Sequence, residues 1–219
     1  MDVDVDVDVD VDVRALSGDE WQLKRDLRLT ALKDSPDAFA SSYAREAHRS
    51  ETDWRTWPPG GAFFTAFLPV AAVPPATVDG VDRFSSHAVS FGVDGGSSRL
   101  EGVSSGVESV LSRAGRLDHV GSAEPLGIAG TWVAAAEPRT THLISMWVAP
   151  IARGRGVAAL LVDAVVGWAR DHGHDTVELE VARGNTPAMT AYLRCGFIVT
   201  QREPFTTGGT VLVRPVNRH

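Results

Sequence analysis

The sequence predicts an α/β fold, a mixed sheet of six or seven strands with helices on both faces. Residues 142–148 are nearly all apolar, which is typical of a strand covered on both faces. Residues 157–171 are apolar almost all round, which is typical of a helix buried against a sheet. Residues 176–181 alternate between apolar and acidic side chains, which is the period of a strand. Shorter apolar segments on either side predict the other strands.

The chain begins with an uninterrupted alternation of Asp and Val from Met1 to Val13. The alternation has the period of a strand, but every second residue is a carboxylate, and like charges along one face repel each other. We therefore predict that residues 1–13 form a disordered tail. The alternative is an over-long first strand whose useful end is Val11 to Leu16. The repeat holds six aspartates in a chain of formal net charge -7, so the remainder is nearly neutral.

The composition argues against several classes of protein. A nearly neutral remainder gives no electrostatic footprint for nucleic acid. The single cysteine, Cys195, excludes an internal disulfide and a cysteine-based zinc cluster, and no other metal site is expected. No apolar run reaches the roughly 20 residues that a membrane helix needs, and the acidic N-terminus is unlike a secretory signal. We expect a cytoplasmic protein without a membrane partner; whether it forms a homodimer stays open.

The first half of the chain predicts two helices and a strand. Ser17-Gly18-Asp19-Glu20 has the form of a capping box and opens a helix that ends at Ser35-Pro36. A second helix is predicted from Ser42 to Trp57, and a strand from Ala62 to Leu68. From Pro69 to Ala123 the composition shifts to Gly, Ser, Pro and Val, which predicts an insertion that is either disordered or a lid.

The second half supplies the rest of the sheet. A strand is predicted from Leu126 to Ala135, before the buried strand already described. Thr186-Pro187 opens a short helix, and residues 197–200 and 210–214 are predicted to form a closing antiparallel pair. Residues 14–219 are therefore expected to form a single domain that carries the insertion.

The segment from Met146 to Ala159 is the strongest functional signal. Pro150 ends the buried strand, and the basic glycine loop Arg153-Gly154-Arg155-Gly156 follows. The two glycines have no side chains, so backbone amides can approach a ligand closely. The helix that begins near Arg155 directs free N–H groups and the positive end of its dipole to the same place. This combination predicts a phosphate-binding loop.

Two motifs resemble those of the GNAT superfamily of acyl-CoA N-acyltransferases. Arg153-x-x-Gly156-x-Ala158 is similar to its Arg/Gln-x-x-Gly-x-Gly/Ala signature, the loop that holds the pyrophosphate of acetyl-CoA. Asn185, Ala188, Tyr192 and Gly196-Phe197 are similar to its second signature, at matching spacings and in the matching order. The resemblance implies a splayed GNAT-type sheet, with acetyl-CoA as the acyl donor.

The resemblance also implies which residues contact the cofactor. The backbone of Met146 to Val148 is expected to pair with the pantetheine arm, as an added strand pairs with a sheet edge. One backbone amide in this stretch is also expected to bind the oxyanion of the tetrahedral intermediate. The expected cofactor-binding residues are Met146, Trp147, Val148, Arg153, Gly154, Arg155, Gly156, Val157, Ala158, Ala159 and Asn185. For Asn185, capping of the turn before the next helix is the equal alternative.

Tyr192 and Glu180 are the candidates for catalysis. In the superfamily, the tyrosine equivalent to Tyr192 protonates the departing thiolate; the alternative is a core aromatic whose hydroxyl is satisfied nearby. Glu180 lies at the distance before Asn185 at which N-terminal acetyltransferases of ribosomal proteins place their base. A carboxylate there is placed to take a proton from an attacking ammonium, directly or through water. The alternative is an ordinary polar face of the sheet, which Glu178 on the same side supports.

The resemblance implies transfer of an acetyl group from acetyl-CoA to a primary amine, by direct attack in a ternary complex. Two other functions compete with this one. Gly154-x-Gly156-x-x-Ala159 also satisfies the loose dinucleotide-binding fingerprint of a Rossmann-type oxidoreductase. Against it, five residues separate the strand from the first glycine, and few residues remain for further parallel strands. A domain that senses acetyl-CoA without catalysis is the other alternative. The amine acceptor stays open among peptide N-terminus, lysine side chain, antibiotic and polyamine.

Overall fold

The computed structural model describes residues 11–68 and 124–216. The predicted insertion and the Asp-Val repeat before residue 11 lie outside the described residues.

The described residues form a seven-stranded sheet in the order β1-β2-β3-β4-β5-β7-β6. Neighbouring strands are antiparallel, except that β4 and β5 are parallel. This confirms the mixed sheet and counts against a Rossmann-type fold, whose sheet is mostly parallel. The strands are β1 Asp12–Ala15, β2 Phe63–Leu68, β3 Glu124–Val133, β4 Thr140–Val148, β5 Thr176–Val181, β6 Ile198–Val199 and β7 Thr210–Pro215.

The first strand lies within the range predicted as its useful end. Asp12 pairs with Phe67, and Val13 pairs with Ala66, so residues 12 and 13 of the predicted tail belong to the sheet. β1 follows the period of the repeat, but it has β2 as a partner, which supplies the backbone hydrogen bonds that an isolated alternating segment lacks.

The α-helices of the described residues are α1 Trp21–Asp34, α2 Tyr43–Glu46, α3 Glu51–Thr56, α4 Val157–Asp171 and α5 Thr186–Arg194. The predicted capping box is present: Ser17 N–H donates to Glu20 Oε2 at 2.9 Å, ahead of α1. The single helix predicted from Ser42 to Trp57 is wrong, because the segment forms α2 and α3. Ser50 caps α3 and forms a second capping box with Asp53, which starts a new helix.

The two faces of the sheet carry separate apolar cores. On one face, α4 and α5 pack against the apolar side of β5, which consists of Val177, Leu179 and Val181. On the other face, α1 packs against Ile128 of β3 and Trp147 of β4. Because side chains alternate along a strand, Glu178 and Glu180 lie on the α1 face. In the described ranges, no helix has the length and apolar character needed to cross a membrane.

Candidate active site

The candidate site lies where β4 and β5 part. These parallel strands pair only at Thr140–His142 and Thr176–Glu178, although β4 continues to Val148 and β5 to Val181. The space between their C-terminal halves holds a cavity of about 630 Å³, which is within the range for a small-molecule site. The pairing confirms the splayed sheet that the resemblance implied.

A β-bulge shapes the β4 side of this gap. Gly130 lies opposite Ile144 and Ile128 lies opposite Trp147, so β4 has one extra residue between the two pairs. Ser145 falls in this stretch and has a φ of 60°, which is uncommon for a residue with a side chain. A bulge bends the strand that carries it, and this one bends β4 just after its last pair with β5.

The end of β4 presents a backbone amide to the gap. Ala149 N–H donates to the Leu126 carbonyl of β3 at 2.9 Å, so the N–H and C=O of Val148 point away from β3. Arg153 Nε donates to that Val148 carbonyl at 3.0 Å, and the Val148 N–H faces the gap. It lies within the stretch Met146 to Val148, which was predicted to pair with an extended ligand.

Helix α4 begins at the mouth of the gap. Gly154 and Gly156 have left-handed φ values of 77° and 80°, and a Cβ atom on either would meet no atom within 4 Å. The backbone conformation therefore favours glycine, and the space beside the loop is open to a ligand. Val157 and Ala158 follow at the start of α4 and line the cavity, where the first N–H groups of the helix have no partner within it. An anion is the favoured ligand at such a place.

The two arginines of the loop differ in their contacts. Arg153 Nε binds the Val148 carbonyl, and its Nη2 forms an ion pair with Asp34. The charge that Arg153 adds beside the loop is therefore paired with a carboxylate from the end of α1. Arg155 is exposed and lies outside the cavity lining.

Asp34 is a residue of this region that the sequence did not single out. Besides Arg153, it accepts hydrogen bonds from Trp147 Nε1 at 2.8 Å and from Ser35 Oγ at 2.7 Å. Burial raises the pKa of Asp34, but its three partners outweigh burial and hold the pKa below its ordinary value. The ionised carboxylate thus joins α1 to the end of β4. No short motif marks it, because two of its partners, Trp147 and Arg153, lie far along the chain.

Asn185 is the N-cap of α5. Its Oδ1 accepts a hydrogen bond from Ala188 N–H at 3.2 Å, and Pro187 lies in the first turn of the helix. Asn185 thus caps the helix itself, one residue before the predicted start at Thr186. Asn185 also lines the cavity, and its side-chain NH₂ is the group left to contact a ligand.

Tyr192 lies on α5 and lines the cavity. The residue is only 8% exposed, and its ring meets Phe197 edge-on, with centroids 5.7 Å apart. Burial, with a smaller contribution from Cys195, raises the pKa of Tyr192, so the phenol is protonated at neutral pH. The hydroxyl donates no hydrogen bond to any residue that the structure describes, which counts against the satisfied core aromatic of the alternative interpretation.

Glu180 lines the same cavity but has partners of its own. Its Oε2 accepts from Phe205 N–H at 2.6 Å, and its Oε1 accepts from Thr206 N–H at 3.0 Å. The Thr206 hydroxyl also donates to Oε1. The Glu180 carboxylate thus binds the loop between β6 and β7. The sequence did not predict this contact.

The structure brings the predicted residues to one cavity. Glu180 and Tyr192 line it, and so do all the expected cofactor-binding residues except Arg155. Ser35, Ala38 and Phe39, which follow α1, line it as well. The cavity therefore draws its walls from both faces of the sheet.

Comparison with known proteins supports an acetyltransferase domain at this site. Residues 115–197 match a family model described as the acetyltransferase (GNAT) family. The mycothiol acetyltransferase of Corynebacterium glutamicum is 36% identical over 70 residues, which are 32% of this chain and 24% of that protein. The chain thus spans about a quarter of that relative's length.

Solved structures share the fold at low sequence identity. A GNAT-family acetyltransferase from Streptococcus pneumoniae has a TM-score of 0.56 and 11% identity, with 95% of this chain and 100% of that chain covered. For yncA from Salmonella typhimurium, solved with its cofactor acetyl-CoA, the TM-score is 0.55, the identity 12% and the coverage 96% of both chains. Spermidine N-acetyltransferase from Vibrio cholerae, in complex with CoA and spermine, has a TM-score of 0.55 and 12% identity, covering 94% of this chain and 95% of that chain.

The family match spans the strands and helices that build the gap between β4 and β5. The first signature lines this gap, and so do Asn185, Ala188 and Tyr192 of the second. Taken with the shared fold, these observations show that residues 115–197 are similar to the acetyltransferase (GNAT) family and that the described residues have the fold of GNAT-family structures.

Proposed function

We propose that the protein is an acetyl-CoA-dependent N-acetyltransferase that moves an acetyl group to a primary amine by direct attack in a ternary complex. The observation that carries the proposal is the gap between β4 and β5, onto which the N-terminus of α4 opens. Residues 14–219 are taken as one acetyltransferase domain that is interrupted at 69–123.

The residues around the gap fit the parts of acetyl-CoA. The N–H groups at the start of α4 suit a pyrophosphate, since they are unpaired within the helix and carry the positive end of its dipole. The Val148 N–H suits the polar groups of an extended arm, which pairs as an added strand would. Gly154 and Gly156 leave the approach open. Acetyl-CoA supplies the activated acetyl group.

Tyr192 is proposed as the proton donor to the departing sulfur. Its phenol is protonated at neutral pH, and no described residue accepts a hydrogen bond from it. A group that carries a proton and lines the cavity can stabilise charge as it develops on a leaving atom. No covalent enzyme intermediate is required: Cys195 is half-buried, and burial raises the pKa of its thiol, which disfavours the thiolate.

The proposal is tested in two steps. A thermal-shift comparison of acetyl-CoA, NAD and ATP separates the cofactor classes, because a ligand that binds only the folded state raises the melting temperature. We expect acetyl-CoA to raise the melting temperature and NAD and ATP to leave it unchanged. A rise with NAD would favour the dinucleotide alternative. Thiol release is then measured over a panel of a polyamine, lysine, an aminoglycoside and a peptide with a free N-terminus. Binding of acetyl-CoA without release above the amine-free rate would identify a sensor.

A further inference from the structure

The two faces of the sheet give different access to the gap between β4 and β5. Helices α4 and α5 pack on one face and close that side, as their shared core with β5 shows. If the gap holds acetyl-CoA, as proposed above, the amine has to approach from the other face. Glu178 and Glu180 lie on that face, together with the loop between β6 and β7, residues 200–209.

Glu180 binds this loop through both carboxylate oxygens. The donors are Phe205 N–H, Thr206 N–H and the Thr206 hydroxyl. Gly209 packs on the same carboxylate so closely that a Cβ atom there would lie 2.4 Å from Glu180 Oε1 and 2.8 Å from Thr206 Oγ1. Hydrogen bonds from backbone N–H groups to an ionised carboxylate are among the stronger ones in proteins. The loop is therefore built around the Glu180 side chain.

Two further contacts hold the loop, one through Arg202 and one through Gly208. Arg202 forms ion pairs with Glu178 and with Glu137. At Gly208, a Cβ atom would lie 3.0 Å from Cδ of Arg183, so the loop backbone rests on the arginine side chain just beyond β5. The loop is thus fixed in place by contacts on both sides of Glu180.

Phe205 is the large apolar side chain that this arrangement exposes. It is 78% exposed, and the centroid of its ring lies 6.2 Å from that of His142, which is on the same face of the sheet. Its own backbone N–H is one of the groups that Glu180 holds. The position of this ring beside the open face is therefore set by the carboxylate.

We propose that Glu180 is a positioning residue: its carboxylate fixes the loop 200–209, with Phe205, as one wall of the entrance through which the amine reaches the gap. It acts through the loop rather than by removing the proton of the amine. This inference rests on the proposed acetyltransferase function and concerns the acceptor side alone.

Three variants separate positioning from base catalysis. Glu180→Gln places an amide NH₂ against at least one of the N–H donors and weakens the loop contact. Thr206→Val removes the hydroxyl donor but leaves the carboxylate unchanged. Thr207→Val is the matched control, because it makes the same replacement at the next residue, which is exposed. Amide hydrogen exchange reports on the loop, and thiol release with spermidine, lysine and a short peptide reports on the reaction.

If Glu180 positions the loop, exchange at residues 205 and 206 accelerates in Glu180→Gln and Thr206→Val, but not in the control. The amine KM then rises about tenfold in both variants, as expected for a weakened charged hydrogen bond. The kcat stays within about threefold, and the acidic limb of its pH profile is kept. The KM for acetyl-CoA is unchanged in all three.

A fall in kcat of about 100-fold in Glu180→Gln, with loss of the acidic limb and a normal Thr206→Val, would identify a base and overturn the proposal. Unchanged amine KM values in both variants would also overturn it. If the wild-type protein releases no thiol with any amine, the proposed function itself fails, and the exchange comparison alone decides whether Glu180 holds the loop.

Discussion

At the scale of single residues, Tyr192 combines burial with an uncommitted hydroxyl. The ring packs in the core with Phe197, and the residue lines the cavity between β4 and β5. A buried phenol usually finds a hydrogen-bond partner, so one without a described partner is available to a ligand.

We expect Tyr192→Phe to lower kcat by about 100-fold or more and to leave the affinity for acetyl-CoA nearly unchanged, because only the proton donor is removed. Steady-state thiol release gives kcat, and calorimetry gives the affinity. Cys195→Ser, at a thiol for which we propose no role, is the control. Unchanged turnover in Tyr192→Phe would remove the tyrosine from the mechanism.

Gly156, at the N-terminus of α4, gives a second prediction, and a glycine beyond the C-terminus of α4 provides the control. We expect Gly156→Asp to weaken acetyl-CoA binding by about tenfold or more, because a negative charge then faces the pyrophosphate at the N-terminus of α4. Gly173, beyond the other end of α4, has a similar φ of 76° and equal space around its Cβ position. Gly173→Asp therefore introduces the same backbone strain as Gly156→Asp, and we expect it to leave the affinity for acetyl-CoA unchanged. Equal effects of the two changes in calorimetry would refute the loop assignment.

The sequence was informative about which residues meet at the site and less so about their partners. The basic glycine motif located the loop correctly, and the positive φ values of Gly154 and Gly156 explain why glycine stands at both positions. The pairing of Arg153 with Asp34 joins residues far apart along the chain. No local pattern encodes such a contact, so the arginine could be located but its partner could not.

At the scale of secondary structure elements, the parting of β4 from β5 makes the site. Apolar character predicted both strands, but neither the end of their pairing after His142 nor the bulge near Ser145 leaves a pattern in the sequence. In the same way, the sequence predicted one helix from Ser42 to Trp57, where Ser50 divides α2 from α3. Hydrophobic periodicity identifies elements better than it identifies where they end.

The α1–α2 contact depends on a buried ion pair. Arg28 and Glu46 have side chains only 5% and 1% exposed, and Arg28 Nη2 lies 2.8 Å from Glu46 Oε1. Burial raises the pKa of Glu46, but Arg28, with smaller contributions from Ser41 and Arg49, outweighs burial and holds the pKa below its usual value. The pair therefore stabilises the fold above the ordinary carboxylate pKa, and this contribution is lost as the pH falls through the lowered value.

We expect Arg28→Met to lower the free energy of unfolding by about 3–5 kcal/mol, because it leaves the buried Glu46 carboxylate with only the longer contact to Arg49, at 3.8 Å. The double variant Arg28→Met/Glu46→Leu should recover much of this loss. Urea denaturation measures both. As a control, Glu51→Gln breaks the exposed pair of Glu51 with Arg55 and should change stability little. A loss in Arg28→Met no larger than in this control would show that the buried pair does not stabilise the fold.

At the scale of the whole molecule, the mixed sheet of the described residues separates two cores, and the parallel pair β4 and β5 within it is partly open. The sequence predicted this architecture because the strand–helix–strand unit from β4 to β5 has clear periodicity and caps. The acceptor could not be predicted in this way, since it depends on how distant loops meet on the open face of the sheet.

The most direct test of the central claim is amide hydrogen exchange of the full chain with and without acetyl-CoA. If the gap between β4 and β5 holds the cofactor, exchange slows at residues 146–148 and 154–158 and stays unchanged at the sheet edge in β6. Protection that falls elsewhere, with these two segments exchanging as before, would contradict the account.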